Sequence, residues 1–317
     1  MNDINNDGEI VRRIAMNFFH VREGFSVKIV GEGACNINYL VEGPPARVVI
    51  KLSKPYREYK AFEEYRKEKW CIQKAQERGI PTPKVLDVNQ FESRSYQIQS
   101  YIEGTPVADL SGDSSFSQEV LMKVWYALGE YAKKIHSVSV TGWGENLIDD
   151  TGKFADSWEK YVRYNIDSLG GEDELIKMGV LNEQTSRNVG RIFESLLAKN
   201  FTFGLCHNDI ALRNTIVDSS GTIYLLDWGT ARAEVVPHCD LNEILSSSKP
   251  DNTMLQAFLD GYGLSADEFQ DMKSELDALE LLHAIDTLRW AIDKKMENLG
   301  EYVARAKDVI AYLPARY

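Results

Sequence analysis

Apolar residues recur at helical spacing between residues 8 and 20, at Ile10, Ile14 and Phe18, which predicts a helix with one buried face. The pattern then changes. Residues 26–30, 37–41 and 47–52 are apolar runs of strand length, rich in β-branched side chains in the last case. They are separated by Gly31-Glu32-Gly33 and by Gly43-Pro44-Pro45, both turn signals. A charged helix is predicted over about 57–78, stopped by Gly79 with Pro81 and Pro83 just beyond. Residues 85–88 and 95–101 read as two more strands, so roughly 25–101 forms a small sheet with one helix. Glu103-Gly104-Thr105-Pro106 reads as a linker.

Helical patterns dominate after it. Residues 118–136 place Val120, Val124, Leu128 and Ala132 on one face, and further helices fit about 155–168, 182–199, 239–247, 251–261, 265–279 and 280–298. The expected class is α+β with two lobes. A small antiparallel-sheet lobe covers residues 1–103, and a larger, mostly helical lobe covers 104–317. No internal repeat or low-complexity segment interrupts this plan.

A chain of 317 residues can bury one large core or two lobes sharing a cleft. The net charge of −12 disfavours nucleic acid, whose phosphates would be repelled. It suits a cationic ligand, and equally a surface that is acidic for solubility alone. No apolar run is long enough to span a bilayer, and the polar, acidic first residues do not read as a signal peptide. Cys35, Cys71, Cys206 and Cys239 show neither a C-x-x-C pair nor metal-ligand spacing. They read as reduced thiols, and the expectation is a cytoplasmic protein with no membrane or nucleic-acid partner.

The stretch from His207 to Asn214 has the form H-x-D-x-x-x-x-N, and Asp227-Trp228-Gly229 follows behind an apolar strand. Two carboxylates and a carboxamide around a hairpin are what phosphoryl transfer from a nucleotide needs. Asp209 would orient an acceptor hydroxyl and take its proton. Asn214 and Asp227 would supply oxygen ligands to Mg2+. The hairpin of residues 215–224 would hold them at fixed distance, and His207 would brace the loop by packing and hydrogen bonds. Lys51 ends an apolar strand, where a lysine either snorkels to water or, in a nucleotide cleft, meets the α- and β-phosphates. Glu68 lies on the charged helix, solvated or paired with Lys51; the order of both before the catalytic motif favours the ion pair. Gly31 and Gly33 sit between strands, either as an ordinary hairpin turn or as a loop whose amides approach phosphate closely. The donor would be ATP or GTP.

With those residues in place, the chain resembles the aminoglycoside phosphotransferase/choline kinase superfamily from about Val27 to about Leu245. Gly79-Ile80-Pro81-Thr82-Pro83 is similar to that family's G-[IVL]-P-x-P turn, and Gln99-Ser100-Tyr101-Ile102-Glu103-Gly104 to its hinge. The resemblance implies a protein-kinase-like fold, with the Ser100 carbonyl and the Ile102 amide on the purine base. Pro237-His238-Cys239-Asp240-Leu241 is similar to the family's D-L-A segment, which implies that Asp240 ties the catalytic loop to a helix. Gly142-Trp143-Gly144, Gly152-Lys153-Phe154 and Ser157-Trp158 resemble a subgroup, the hygromycin B phosphotransferases and their relatives; a packing feature would also account for them. Asn208 stands where protein kinases carry arginine and where this family more usually has glycine. Asp240 follows Asp227 too soon for a peptide-docking segment. Both features point to a small-molecule acceptor.

The resemblance implies an aminoglycoside-type acceptor first. A metabolic kinase for choline, ethanolamine, homoserine, a sugar or a nucleoside stands second, and a catalytically silent binding module a distant third. The acidic stretch 267–277 would receive ammonium groups if it lines the cleft; otherwise it is a solvated helix face. The helices over about 251–299 are expected to wall the acceptor site, as the family's do. Trp143, Trp158 and Trp290 are open between an aromatic box for a quaternary amine and plain core packing.

Overall fold

Alternation decides how the first lobe is built. In a computed structural model that describes residues 2–33, 35–44, 46–109 and 112–311, helix α1 (Asn2–Phe19) lies on a five-stranded sheet. The strands are β1 (Ser26–Glu32), β2 (Asn36–Gly43), β3 (Ala46–Ser53), β4 (Val85–Phe91) and β5 (Arg94–Ser100), antiparallel in the order β1-β2-β3-β5-β4. Val48, Ile50, Leu52 and Ile98 point to one face and bury against Ile10, Val11 and Ile14 of α1. The side chains between them, Lys51, Gln97 and Gln99, therefore point to the other face. There they meet helix α2 (Glu58–Glu77): Gln97 donates to the Tyr65 carbonyl at 3.2 Å and Gln99 to Glu68 at 3.4 Å. One face of the sheet is thus a hydrophobic core and the other a polar working surface. Ala34 of the glycine loop and Pro45 of the second turn lie outside the described residues.

A buried ion pair fastens α1 to the sheet. Arg94 donates to both oxygens of Asp7 at 2.6 and 3.2 Å and to the Ser53 carbonyl at 2.6 Å, with both side chains at most 7% exposed. Removing one member leaves an uncompensated charge away from water. Asp7→Ala is expected to cost about 3–5 kcal/mol of stability, read as a lowered urea midpoint at unchanged slope. A midpoint within error of wild type would show that the pair contributes nothing.

The stretch read as a linker begins the second lobe: Thr105–Pro106 is a short strand, β6, paired with β10 (Thr215–Val217), which in turn pairs with β11 (Ile223–Leu225). Helix α3 (Gln118–His136) crosses the lobe, with Val124, Leu128, Ala132 and Ile135 buried. A second small sheet, order β8-β7-β12-β9, joins β7 (Trp143–Asp149), β8 (Lys153–Asp156), β9 (Phe203–Cys206) and β12 (Arg232–Val235). Sequence periodicity did not predict these four strands. Two further helical elements were also not predicted, α5 (Glu174–Lys177) and α11 (Leu299–Ala311). The remaining helices are α4 (Trp158–Asp167), α6 (Glu183–Ala198), α7 (His238–Glu243), α8 (Asn252–Tyr262), α9 (Ala266–Asp271) and α10 (Lys273–Asp293). A capping box of Ser265 and Glu268 starts α9, and the break between the last two falls at Met272, not near residue 279. All four cysteines are free thiols. Among the described residues no helix is long and apolar enough to cross a membrane.

Candidate active site

The sheet's polar face delivers Lys51. The register aligns Gly31 with Asn38, Asn38 with Lys51 and Lys51 with Gln97, so the glycine loop and the lysine share one rung. Beyond it Gly33 closes the loop by donating its amide to the Asn36 carbonyl at 2.9 Å. Lys51 Nζ donates to Glu68 Oε1 at 2.8 Å and to Asp227 Oδ1 at 3.2 Å, which bridges the two lobes. Burial works against the charge on Lys51, but Glu68 and Asp227 outweigh it and raise its pKa above the usual lysine range. A second lysine on α2, Lys67, donates to the Gly229 carbonyl at 2.8 Å and so clamps the Glu68 helix to the D-W-G segment. At the hinge, Ser100 is tied to Lys84: its amide donates to the Lys84 carbonyl at 2.8 Å, and its hydroxyl accepts from the Lys84 amide at 2.9 Å. Ile102 lies in the irregular segment that follows.

Asp227 has φ 55°, a left-handed conformation that costs a non-glycine residue energy and turns its carboxylate out of the hairpin. Its side chain is 58% exposed, into the gap beside Lys51. The Lys51 charge holds its carboxyl below the usual range despite surrounding protein. Asn214 donates Nδ2 to Asp209 Oδ2 at 2.8 Å and to the Asp209 carbonyl at 2.9 Å, which leaves its side-chain oxygen as an acceptor. The Leu226 amide donates to the Asn214 carbonyl at 2.8 Å, fixing the two positions against each other. One ionised carboxylate and one amide oxygen are hard donors that fit Mg2+.

Asp209 bonds through Oδ1 to Arg213 and through Oδ2 to Asn214, and remains 21% exposed. Arg213 was not singled out from sequence. Its position four residues after Asp209 on a turn was the available signal. His207 is fully buried, packs edge-on against Trp228 at 4.6 Å and bonds through Nε2 to the Leu226 carbonyl at 3.0 Å. Asp240 accepts from the amides of His207 and Asn208 at 3.1 and 2.6 Å, and contacts His136 at 2.8 Å. Burial opposes its ionisation, but His136 and the loop hold it below the usual range. Cys206 lies within 4.8 Å of that His136–Asp240 pair, whose ring and carboxylate are already committed to each other and to the loop. Asn208 has φ 60°, so this position requires a left-handed residue. Glycine meets that need most easily, and asparagine is among the few others that tolerate it.

Beside Asn208 opens a cavity lined by Trp143, Tyr161, Arg232, Glu234, Glu243 and Glu280, among others. A wider outer cavity, about 1430 Å³, shares Trp143, Tyr161, Arg232 and His283 with it and continues to Asp286 and Trp290. Gly142 (φ 77°) and Gly144 (φ 95°) flank Trp143, and a side chain on Gly144 would strike Asp156 at 2.7 Å. The G-W-G segment thus places Trp143, which stacks on Tyr161 at 4.2 Å and donates Nε1 to Glu234 at 2.6 Å. Burial raises the carboxyl of Glu234; burial, with smaller contributions from Asp209 and Asp240, raises that of Glu243 against a hydrogen bond from Ser247. The cavity's acid therefore comes from β12, α7 and α10.

The stretch 267–277 does not line either cavity. Glu268 caps its own helix, Glu275 pairs with Lys199 and His238, and Asp277 pairs with Lys273. Of the helices expected to wall the site, α10 does so, while α8 and α9 contribute nothing and Arg305 of α11 takes part. Trp290 is not in the core; it is 46% exposed and faces Tyr302 and the outer cavity.

No curated protein sequence matches the chain. Solved structures match over nearly its whole length. A thermostable mutant of aminoglycoside phosphotransferase APH(4)-Ia, in a ternary complex with AMP-PNP and hygromycin B, has a TM-score of 0.66 at 17% identity, covering 96% of this chain and 99% of that one. The GDP complex of aminoglycoside 2'-phosphotransferase-IIIa has a TM-score of 0.69 at 14% identity, covering 94% and 97%. These likenesses concern the fold. Residues 26–309 match the sequence profile of one family, spanning both the sheet with Lys51 and the loop with Asp209. The chain belongs to the phosphotransferase enzyme family.

Proposed function

We propose that this protein transfers the γ-phosphoryl group of ATP or GTP to a hydroxyl of a small, aminoglycoside-like acceptor in the cytoplasm. Residues 1–103 would bind the nucleotide and residues 104–317 would carry the catalytic loop and the acceptor. The observation that supports this most is Lys51 Nζ bonded at once to Glu68 and Asp227, with the Asp209 loop beside a cavity. Amides at Gly31 and Gly33 and the Lys51 ammonium would hold the phosphates, and Ser100 and Ile102 the base. Asn214 and Asp227 would hold Mg2+, which when bound neutralises charge on the transferring phosphate. Asp209 would accept a hydrogen bond from the acceptor hydroxyl and take its proton as the oxygen attacks. Both Asp209 oxygens keep a second lone pair for this beyond their bonds to Arg213 and Asn214. Glu243, close to Asp209 and lining the cavity, would receive an ammonium group of the acceptor.

A second reading, a metabolic kinase of the same fold, gains from one observation: the cavity also presents Arg232 and Arg305. A quaternary amine such as choline is the poorest fit among these, because Arg232 already lies over the Trp143 ring at 5.6 Å.

The test is nucleotide-dependent product formation across aminoglycosides, amino alcohols, sugars and nucleosides. Turnover is expected with an amine-bearing polyol, and its apparent affinity should weaken as ionic strength rises. Turnover with none of the four classes would overturn the kinase reading. A salt-independent affinity would overturn the acidic acceptor site.

A further inference from the structure

Resting on the phosphoryl transfer of that reading, with the metabolic-kinase alternative for its acceptor, we propose that Arg232 is an anion seat, and that the acceptor brings a carboxylate or phosphate group to it alongside its hydroxyl. Arg232 stands where the two cavities meet and lines both. Only 22% of its side chain is exposed. Its Nε is buried with no partner, and among the described residues the guanidinium donates no hydrogen bond. The nearest carboxylate, Glu234, balances its charge through Oε2 at 3.8 Å, too far for a hydrogen bond, while Glu234 Oε1 accepts from Trp143 Nε1 at 2.6 Å and from the Val235 amide at 2.9 Å.

The other charged groups facing this point do not satisfy it. Glu145 is exposed at the rim of the outer cavity. Asp286 accepts from Asn165 at 3.0 Å, and burial raises its carboxyl above the usual range. Arg305 is neutralised by Glu280 at 2.9 Å. His283 opens onto both cavities, and burial with the charges of Arg305 and Arg232 lowers its pKa to about 4, so near neutral pH it adds no competing positive charge.

A largely buried guanidinium without hydrogen bonds is costly unless an anion completes it, and its planar fork matches carboxylate or phosphate oxygens in pairs. The same cavity offers Glu243 near Asp209, so an acceptor can be zwitterionic, with its amine toward the transfer point and its anion at the waist. On strand β12 Arg232 and Glu234 line the cavity, while Ala233 between them packs into the core.

The experiment titrates the whole chain with glucose, glucosamine, glucuronate and glucose 6-phosphate and measures affinity directly by calorimetry, with Mg-ATP titrated separately. At least one of the two anionic sugars is expected to bind 10-fold or more tightly than glucose and glucosamine. Glucuronate identifies a carboxylate seat and glucose 6-phosphate a phosphate seat. Arg232→Met, which keeps most of the side-chain volume, is expected to abolish the preference; Arg232→Lys, which keeps charge without the fork, is expected to retain part of it. Equal binding of all four sugars, or a preference that survives Arg232→Met, overturns the anion seat. Failure of the wild type to bind Mg-ATP would instead overturn the kinase reading, whatever the sugars do.

Discussion

Replacing Asp209 by alanine is expected to lower phosphoryl-transfer turnover by roughly 10²–10⁴-fold while the protein stays folded. The size follows from the role: a positioned carboxylate that takes the acceptor proton contributes about that much to a transfer step. The retained fold follows from position. Asp209 lies on an irregular loop, partly exposed, and its bonds run to Arg213 and Asn214 and not into the hydrophobic core. The loop itself is held from behind, by Asp240 on the amides of His207 and Asn208 and by His207 on Leu226. The substitution frees Arg213 but leaves Asn214 Nδ2 on the backbone carbonyl of residue 209 at 2.9 Å, so nucleotide affinity should change by far less than turnover. Single-turnover assays with the best acceptor give the answer. Residual activity above a few per cent of wild type would rule out Asp209 as the base.

Why these residues were legible in the sequence has a physical reason. Asp209, Asn214 and Asp227 lie within one short loop and hairpin, so their relative placement is written into spacing along the chain. The first lobe was legible for a related reason: β3 is a β-branched apolar run of strand length, and the turns around it are marked by glycine and proline. The cavity beside Asn208 was not. Part of its wall comes from β12, a strand of four residues whose pairing with β9 joins Phe203 to Val235 across distant sequence. Runs that short carry no period of their own, and tertiary contacts specify them. Nothing local in Arg232-Ala233-Glu234-Val235 says what its charged side chains meet. The acidic run at 267–277 misled in the opposite direction. Its charges are close in sequence yet spent on a helix cap and on Lys199, His238 and Lys273, so local density of charge did not become a charged wall.

Asp227→Ala is the second large expected effect, and it separates binding from chemistry. The carboxylate is kept ionised by Lys51 and aimed outward by its left-handed backbone, an arrangement with little structural purpose, since most of the side chain faces open space. A strained conformation that exposes a charge is a device for holding something. Removing it should weaken Mg-nucleotide binding on the order of 100-fold, a loss of about 2.7 kcal/mol. Binding of the same nucleotide without Mg2+ should change much less, because Lys51 would still have Glu68 at 2.8 Å to hold it in place. Asp227→Asn sharpens the distinction: it keeps the shape and one oxygen but discards the charge that Lys51 and the metal both use. Calorimetry with and without Mg2+ reads all three proteins. If Asp227→Ala binds Mg-nucleotide as tightly as wild type, the metal is held elsewhere, and the strain at Asp227 serves only to bridge the lobes through Lys51.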